Sequence, residues 1–236
     1  MYDPIERARD VAQSVCDGER RKYHRFRAAR FYGGVATADC VGCCLCCVFC
    51  WSWRGVNEPE AVGSLYGPRE VADNLASIAH KKKFRQVRIS GNEPTIGREH
   101  LLRTIESLPP VFTFILETNG ILLGHDRSYA KDLARFPLLR VRVSLKGSTP
   151  GEFTRLTGAV PEGFSLQIAA LENLVAEGVL AHPAVMTSFS PPENLAALRK
   201  RLREITPWFD DFEQEELALY GDVERRLAEA AITPER

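Results

Sequence analysis

No apolar run in the 236 residues approaches the ~20 needed to cross a bilayer, which argues against a membrane-spanning segment. The start, Met1-Tyr2-Asp3-Pro4-Ile5-Glu6-Arg7, lacks the apolar stretch of a signal peptide, so a cytoplasmic protein is expected. An excess of charge is missing too. Basic and acidic residues balance at 31 each, and no global field favours nucleic acid or an anionic membrane. Sequence repeats and low-complexity linkers are absent, and the length suits one large domain. Cysteine is almost absent outside one short stretch: Cys16 stands alone, and the other six of the seven lie within residues 40–51. Thiols packed so closely do not make the spread disulfide framework of a secreted domain, and a reducing compartment follows.

Residues 1–34 form a basic and aromatic extension, with Arg20-Arg21-Lys22-Tyr23-His24-Arg25-Phe26-Arg27 at its centre. Interleaved cations and aromatics can grip nucleic acid. Packing of long basic side chains over aromatics at the base of a domain is the favoured reading, given the zero net charge. His80-Lys81-Lys82-Lys83 reads as a helix end, where cations complement the dipole.

From residue 35 to residue 236 the chain alternates between strand-like and helical runs. Strands are expected at 33–37, 86–90, 112–117, 139–145 and 183–189, with a polar sixth at 212–220. Helices are expected at 68–79, 98–108, 128–136, within 161–178, at 193–205 and at 224–231. The 161–178 helix carries Leu166, Ala169, Ala170, Leu174 and Val175 as its apolar stripe, and Cys16 reads as a helical core residue. Six β/α units fall short of the eight in a closed barrel. An α/β fold, a partial open (β/α)6 barrel, is expected, with a doubly wound open sheet as the alternative.

The six cysteines, Cys-Val-Gly-Cys-Cys-Leu-Cys-Cys-Val-Phe-Cys, follow the first strand-like run and read as a metal site at a strand end. Two triplets share the spacing C-x3-C-x2-C: Cys40/Cys44/Cys47 and Cys43/Cys47/Cys50. Three thiolates from one loop suit a [4Fe–4S] cluster with one iron left open. Zinc is the competing metal, although structural zinc sites draw on paired C-x2-C knuckles. A non-catalytic iron–sulfur or zinc module for electron transfer is the reading from outside enzymology.

Cys43-x3-Cys47-Val48-Phe49-Cys50 resembles the signature of the radical S-adenosylmethionine (SAM) superfamily, C-x3-C-x-aromatic-C after the first barrel strand. The aromatic Phe49 selects the register Cys43, Cys47 and Cys50. Gly91-Asn92-Glu93-Pro94 resembles the family's G-G-E-P segment, with Asn92 in place of a second glycine; Asn tolerates positive φ better than most residues. Glu117-Thr118-Asn119-Gly120 is similar to the segment flanking the same pocket. Ser144-Leu145-Lys146 resembles the D-x-K segment of the glycyl-radical activating enzymes, with Ser144 where Asp is usual. All four segments are expected at C-terminal strand ends, where barrel active sites are built.

The resemblance implies a [4Fe–4S] cluster on Cys43, Cys47 and Cys50, and SAM held by Phe49, Trp51, Gly91, Asn92, Glu93, Pro94, Thr118, Asn119, Ser144 and Lys146. It implies reductive cleavage of SAM to a 5′-deoxyadenosyl radical that abstracts hydrogen from a substrate, and a flavodoxin- or ferredoxin-like electron donor. Among family members the short length, the Ser-Leu-Lys segment and the open barrel are most like the glycyl-radical activating enzymes related to the pyruvate formate-lyase activator. The lateral opening left by six units, with no large substrate-binding appendage, makes a protein substrate the expectation. RNA or a small metabolite is the alternative. A monomer with no membrane partner is expected, and no general base is assigned. Cys40, Cys44 and Cys46 receive no role, and His182, Met186 and Glu215 are scattered candidates for substrate contact.

Overall fold

Successive side chains of a strand point to opposite faces of its sheet, and the apolar set of each parallel strand, cleanest in Leu139–Leu145, decides which face meets the helices. In the computed structural model, which describes residues 1–235, the chain begins with α1 (Pro4–Val15), capped by Asp3 accepting from the Ile5 N–H. A short hairpin, β1 (Cys16–Asp17) and β2 (Arg20–Ala29), leads to β3 (Val35–Cys40). After the cysteine-rich loop come α2 (Trp53–Asn57), β4 (Ser64–Tyr66) and α3 (Pro68–Lys82). Then follow β5 (Gln86–Gly91), α4 (Arg98–Ser107), β6 (Thr113–Thr118), α5 (Ile121–His125), α6 (Arg127–Leu133) and β7 (Leu139–Leu145). The chain closes with α7 (Pro150–Thr157), α8 (Glu162–Ala176), β8 (Ala181–Met186), α9 (Pro192–Ile205), β9 (Glu213–Glu215) and α10 (Val223–Glu229).

Strands β3, β5, β6, β7, β8 and β9 lie side by side in chain order, each parallel to the next, and β2 adds an antiparallel edge to β3. A doubly wound sheet would reverse its order at a switch point; this one does not. Among the described residues no pairing joins β9 to the opposite edge. The architecture is therefore a partial, open barrel of six β/α units, as the alternation of runs predicts.

The outward face of the sheet supplies the core. Val87 and Ile89, Phe114 and Leu116, Val141 and Val143, and Val185 are buried against the helix layer with Leu75, Leu101, Leu171 and Leu174. The inward face is charged. A closed barrel fills this space with branched aliphatics, whereas here each buried charge meets an opposite one, as burial requires. Asp39 accepts from Arg25 and Arg27, both at 2.7 Å. Arg88 pairs with Glu117 at 2.8 Å, and Arg142 pairs with Glu213 at 2.7 Å and Glu215 at 2.9 Å.

The structure corrects several local expectations. The first parallel strand covers 35–40 rather than 33–37, because Gly33 and Gly34, at φ 77° and 121°, make the turn before it. Cys16 is no helical core residue: it sits half-buried in β1, the helix having ended at Val15. The polar sixth strand is only three residues long. Along α8 the buried stripe is Phe164, Gln167, Ile168, Ala170, Leu171 and Leu174, while Val175 faces solvent. The basic run 20–29 is β2, and its cations are used internally: Arg21 is buried and donates to the Glu93 carbonyl, and Lys22 donates to the carbonyls of Pro59 and Glu60.

Candidate active site

The cysteine loop leaves the C-terminal end of β3, and the neighbouring strand end holds it. Gly91 adopts φ 100°, and a Cβ there would stand 2.9 Å from the Cys40 carbonyl oxygen, so only glycine allows β5 this close. Asn92 is not left-handed; the left-handed residue is Gly91. Its amide explains its presence instead. Oδ1 accepts from the Gly42 N–H at 3.0 Å and Nδ2 donates to the Ser52 carbonyl at 3.3 Å, so one side chain ties both ends of the loop.

Glu93 is buried and fully engaged. Its Oε1 accepts from the Thr95 N–H (3.0 Å) and hydroxyl (2.5 Å) and from the Thr118 hydroxyl (2.7 Å), and its Oε2 accepts from the Asn119 N–H at 2.7 Å. This carboxylate welds the ends of β5 and β6 together. Pro94 starts the 3-10 turn that follows. Asn119 then turns its amide toward the thiols: Nδ2 donates to Cys43 Sγ at 3.6 Å and Cys44 Sγ at 3.3 Å. Gln167 on α8 locks this edge, donating to the Asn119 carbonyl at 2.5 Å and the Ser144 carbonyl at 3.0 Å and accepting from the Lys146 N–H at 3.1 Å.

The thiols divide by surroundings. Cys43 receives the Leu45 N–H at 3.4 Å as well as Asn119, and the Cys44 thiol donating to it outweighs burial and lowers its pKa. Burial pushes Cys47 well up and Cys50 up to about 11, each further raised by Cys43 and lowered by Lys146. Lys146 thus acts on Cys43, Cys47 and Cys50 together. Cys46 instead faces Arg7 and Tyr2, and Cys40 is buried beside Arg21 with its pKa pushed up to about 12. Among the described residues no three Cys, His, Asp or Glu side chains gather on one point as a mononuclear site requires. A four-iron cluster makes no such demand, since each thiolate grips a different iron. Three thiols in one loop, an amide and an N–H aimed at the first sulfur, and a shared cation fit such a cluster.

Phe49 is buried and stacks on Phe189, with centroids 5.5 Å apart, and the Lys146 ammonium lies 5.8 Å from its ring centroid. Lys146 also donates to the Ser144 hydroxyl. Trp51 is not gathered with these residues: it is half exposed and shares a cavity of about 460 Å³ with Asn92, Cys40, His24, Arg25 and Arg54, none of them on β6 or β7. Sequence reasoning missed Gln167, which reads as one more position on an amphipathic helix. It also missed Arg226, whose only signal is a basic residue in a polar helix.

An open parallel barrel with a thiol-rich loop over the C-terminal strand ends defines a barrel enzyme with a loop-borne metal centre. The pattern of the radical SAM superfamily matches residues 39–205, and the chain belongs to that superfamily. It is therefore a radical SAM enzyme, with a [4Fe–4S] cluster and SAM as its cofactors and a need for a one-electron donor. Among curated proteins it is similar to a probable GTP 3′,8-cyclase of Thermococcus kodakarensis, 34% identical over 109 residues, which cover 46% of this chain and 33% of that protein. The corresponding Methanosarcina acetivorans protein is 31% identical over 139 residues, 58% of this chain and 40% of that one. The chain thus spans between a third and two-fifths of these relatives. Among solved structures, Streptococcus suis SuiB bound to SAM superposes with a TM-score of 0.63 at 18% identity, over 81% of this chain and 44% of that one. TYW1 with a lysine–pyruvate adduct superposes with a TM-score of 0.55 at 12% identity, over 98% and 88%. Likeness at this identity shows the shared fold. No helix among the described residues is long and apolar enough to cross a membrane.

Proposed function

We propose that Cys43, Cys47 and Cys50 hold the cluster, that SAM binds along the strand ends of β5, β6 and β7, and that the resulting radical acts on a small polar substrate over the charged inner face. The observation that carries the ligand assignment is the geometry of the loop: the Asn119 amide and the Leu45 N–H donate to Cys43 Sγ at 3.6 and 3.4 Å, and the Cys50 N–H closes a turn on the Cys47 carbonyl at 3.0 Å that holds Phe49 against Phe189. When bound, the cluster supplies the electron that cleaves the C–S bond of SAM to a 5′-deoxyadenosyl radical. The chain's own residues position and enclose. Gly91 and Asn92 fix the loop, Glu93 and Thr118 set the pocket edge, and Asn119 orients the first sulfur. Phe49 and Lys146 form an aromatic and cationic wall for the cosubstrate carboxylate and ribose, with Ser144 as neutral partner.

The small-molecule reading draws on two supports. Buried ion pairs line the inner face, which suits a polar ligand better than an apolar one. The relatives, moreover, are named for a nucleotide substrate. A protein substrate, as in glycyl-radical enzyme activation, is the second reading; the open edge at the three-residue β9 favours it, because a loop could enter laterally. Residues 1–34 act in either case as an N-terminal extension of the barrel, joined to the sheet where β2 pairs with β3. Anaerobic reconstitution should give about four irons per chain, and reduction should release 5′-deoxyadenosine. A low-molecular-mass cell extract should accelerate that release. Acceleration by the macromolecular fraction alone would overturn the small-molecule reading, and iron retained by Cys43→Ala would overturn the ligand set.

A further inference from the structure

The segment matched by the superfamily pattern ends at residue 205, yet the cysteine loop is held by a side chain beyond it. Arg226, on α10, is buried, with only 7% of its side chain exposed. Its Nε donates to the Val48 carbonyl at 3.0 Å and its Nη2 to the Cys50 carbonyl at 2.6 Å, so the guanidinium fork straddles Phe49. The ring of Trp53 lies under it, 4.9 Å from Cζ to the centroid, and Asp222, one turn earlier, takes Nη1. Val223 and Leu227, both buried, dock the short helix.

We infer that Arg226 is a positioning residue that latches the cysteine loop and sets the electrostatics of the cluster; this rests on the ligand set proposed above. The geometric argument is that Cys47 and Cys50 are brought together by a turn, closed by the Cys50 N–H donating to the Cys47 carbonyl at 3.0 Å. A fork that binds the carbonyls on both sides of Phe49 fixes that turn and the aromatic together. Lysine cannot reproduce this, since a single ammonium carries no planar pair of donors. The electrostatic argument is that a buried cation on the carbonyl of a ligand favours the more negative, reduced cluster.

The two contributions separate experimentally in the reconstituted full-length protein. Arg226→Gln should lose iron to a chelator about tenfold faster than the parent and shift the cluster potential to more negative values. Arg226→Lys keeps the charge without the fork, so it should lose iron faster while holding its potential near that of the parent. Leu227→Ala, which loosens α10 without removing charge, should leave the potential unchanged. Thermal unfolding of each metal-free variant shows whether the fold survives. An unchanged potential and chelation rate in Arg226→Gln would overturn the inference. Failure of the underlying ligand set reads out differently: Cys50→Ala would then retain its iron.

Discussion

The Ser144 hydroxyl donates to Glu215 Oε2 at 2.6 Å, and the Lys146 ammonium stands 3.9 Å from the same oxygen. The negative charge expected at position 144 from the resemblance is thus present at the strand end, but it arrives from β9 through Glu215. Arg142 holds the other oxygen at 2.9 Å. Burial alone would raise the Glu215 pKa; Lys146 and Arg142 outweigh it and bring it down to about 2. A carboxylate depressed from its ordinary 4.5 stabilises the fold above that value, and the contribution disappears as pH falls toward 2. Glu215→Gln leaves Arg142 and Lys146 without their shared partner and should cost about 3 kcal/mol at neutral pH. Urea denaturation should also show a flatter pH dependence between 4.5 and 2 in the variant. Equal slopes for both proteins would refute the assignment.

Gly91 offers a test of how tightly β5 must approach β3. Alanine at φ 100° is strained, and its Cβ would meet Cys40 backbone atoms at 2.9 and 3.0 Å. Gly178, also left-handed at φ 72° but with nothing within 4 Å, provides the control for strain alone. Gly178→Ala should cost about 1 kcal/mol, and Gly91→Ala distinctly more, with loss of iron retention. Matching unfolding midpoints for the two would show that close approach contributes nothing.

His100 carries a separate pH signature. Its Nδ1 lies 2.8 Å from the Glu19 carbonyl, which can only accept, so Nδ1 bears the proton and Nε2 accepts from Tyr23 Oη at 3.0 Å. Burial lowers its pKa from 6.5 to about 4. The unfolded chain therefore takes a proton in that window before the folded one does, and stability falls as pH drops from 6.5 toward 4. By pH 5 the loss should reach about 2 kcal/mol. His100→Gln should be less stable at pH 7 yet lose less on acidification, measured by denaturant midpoints at pH 7 and pH 5. A parent protein equally stable at both would contradict the neutral, buried imidazole.

Much of this architecture was legible because the strands are written in period two. Leu139 to Leu145 alternates without fault, and the sixfold repetition predicts the open barrel. The strand-end segments were legible as well, since Gly91 and Asn119-Gly120 occupy turns that few other residues fit. What stayed hidden depends on pairing across long sequence separations. Nothing local to Arg20–Ala29 marks it as an edge strand, because its register is set by partners in β3 and β4. Gln167 and Arg226 are ordinary helix residues until the fold aims them at carbonyls on other elements. The role of the Asn92 amide was hidden for a related reason, since its partners Gly42 and Ser52 lie 50 and 40 residues earlier in the chain.

The register of the cysteine loop is the most direct test of the site. Asn119 and the Leu45 N–H donate to Cys43, and a turn joins Cys47 to Cys50 around Phe49, while Cys40 is buried beside Arg21 and Cys46 faces Arg7 and Tyr2. Cys44 is intermediate, since its thiol contacts both Cys43 and Asn119. Alanine at 43, 47 or 50 should therefore abolish both iron retention and release of 5′-deoxyadenosine, with the metal-free fold intact by circular dichroism. Cys46→Ala should retain both. Cys44→Ala removes the donor that lowers the Cys43 pKa, so it should keep the iron but bind it less firmly, visible as faster loss to a chelator. The rival triplet Cys40, Cys44 and Cys47 makes the opposite demand. If Cys40→Ala and Cys44→Ala emptied the site while Cys50→Ala kept four irons, the register proposed for the cluster ligands would be overturned.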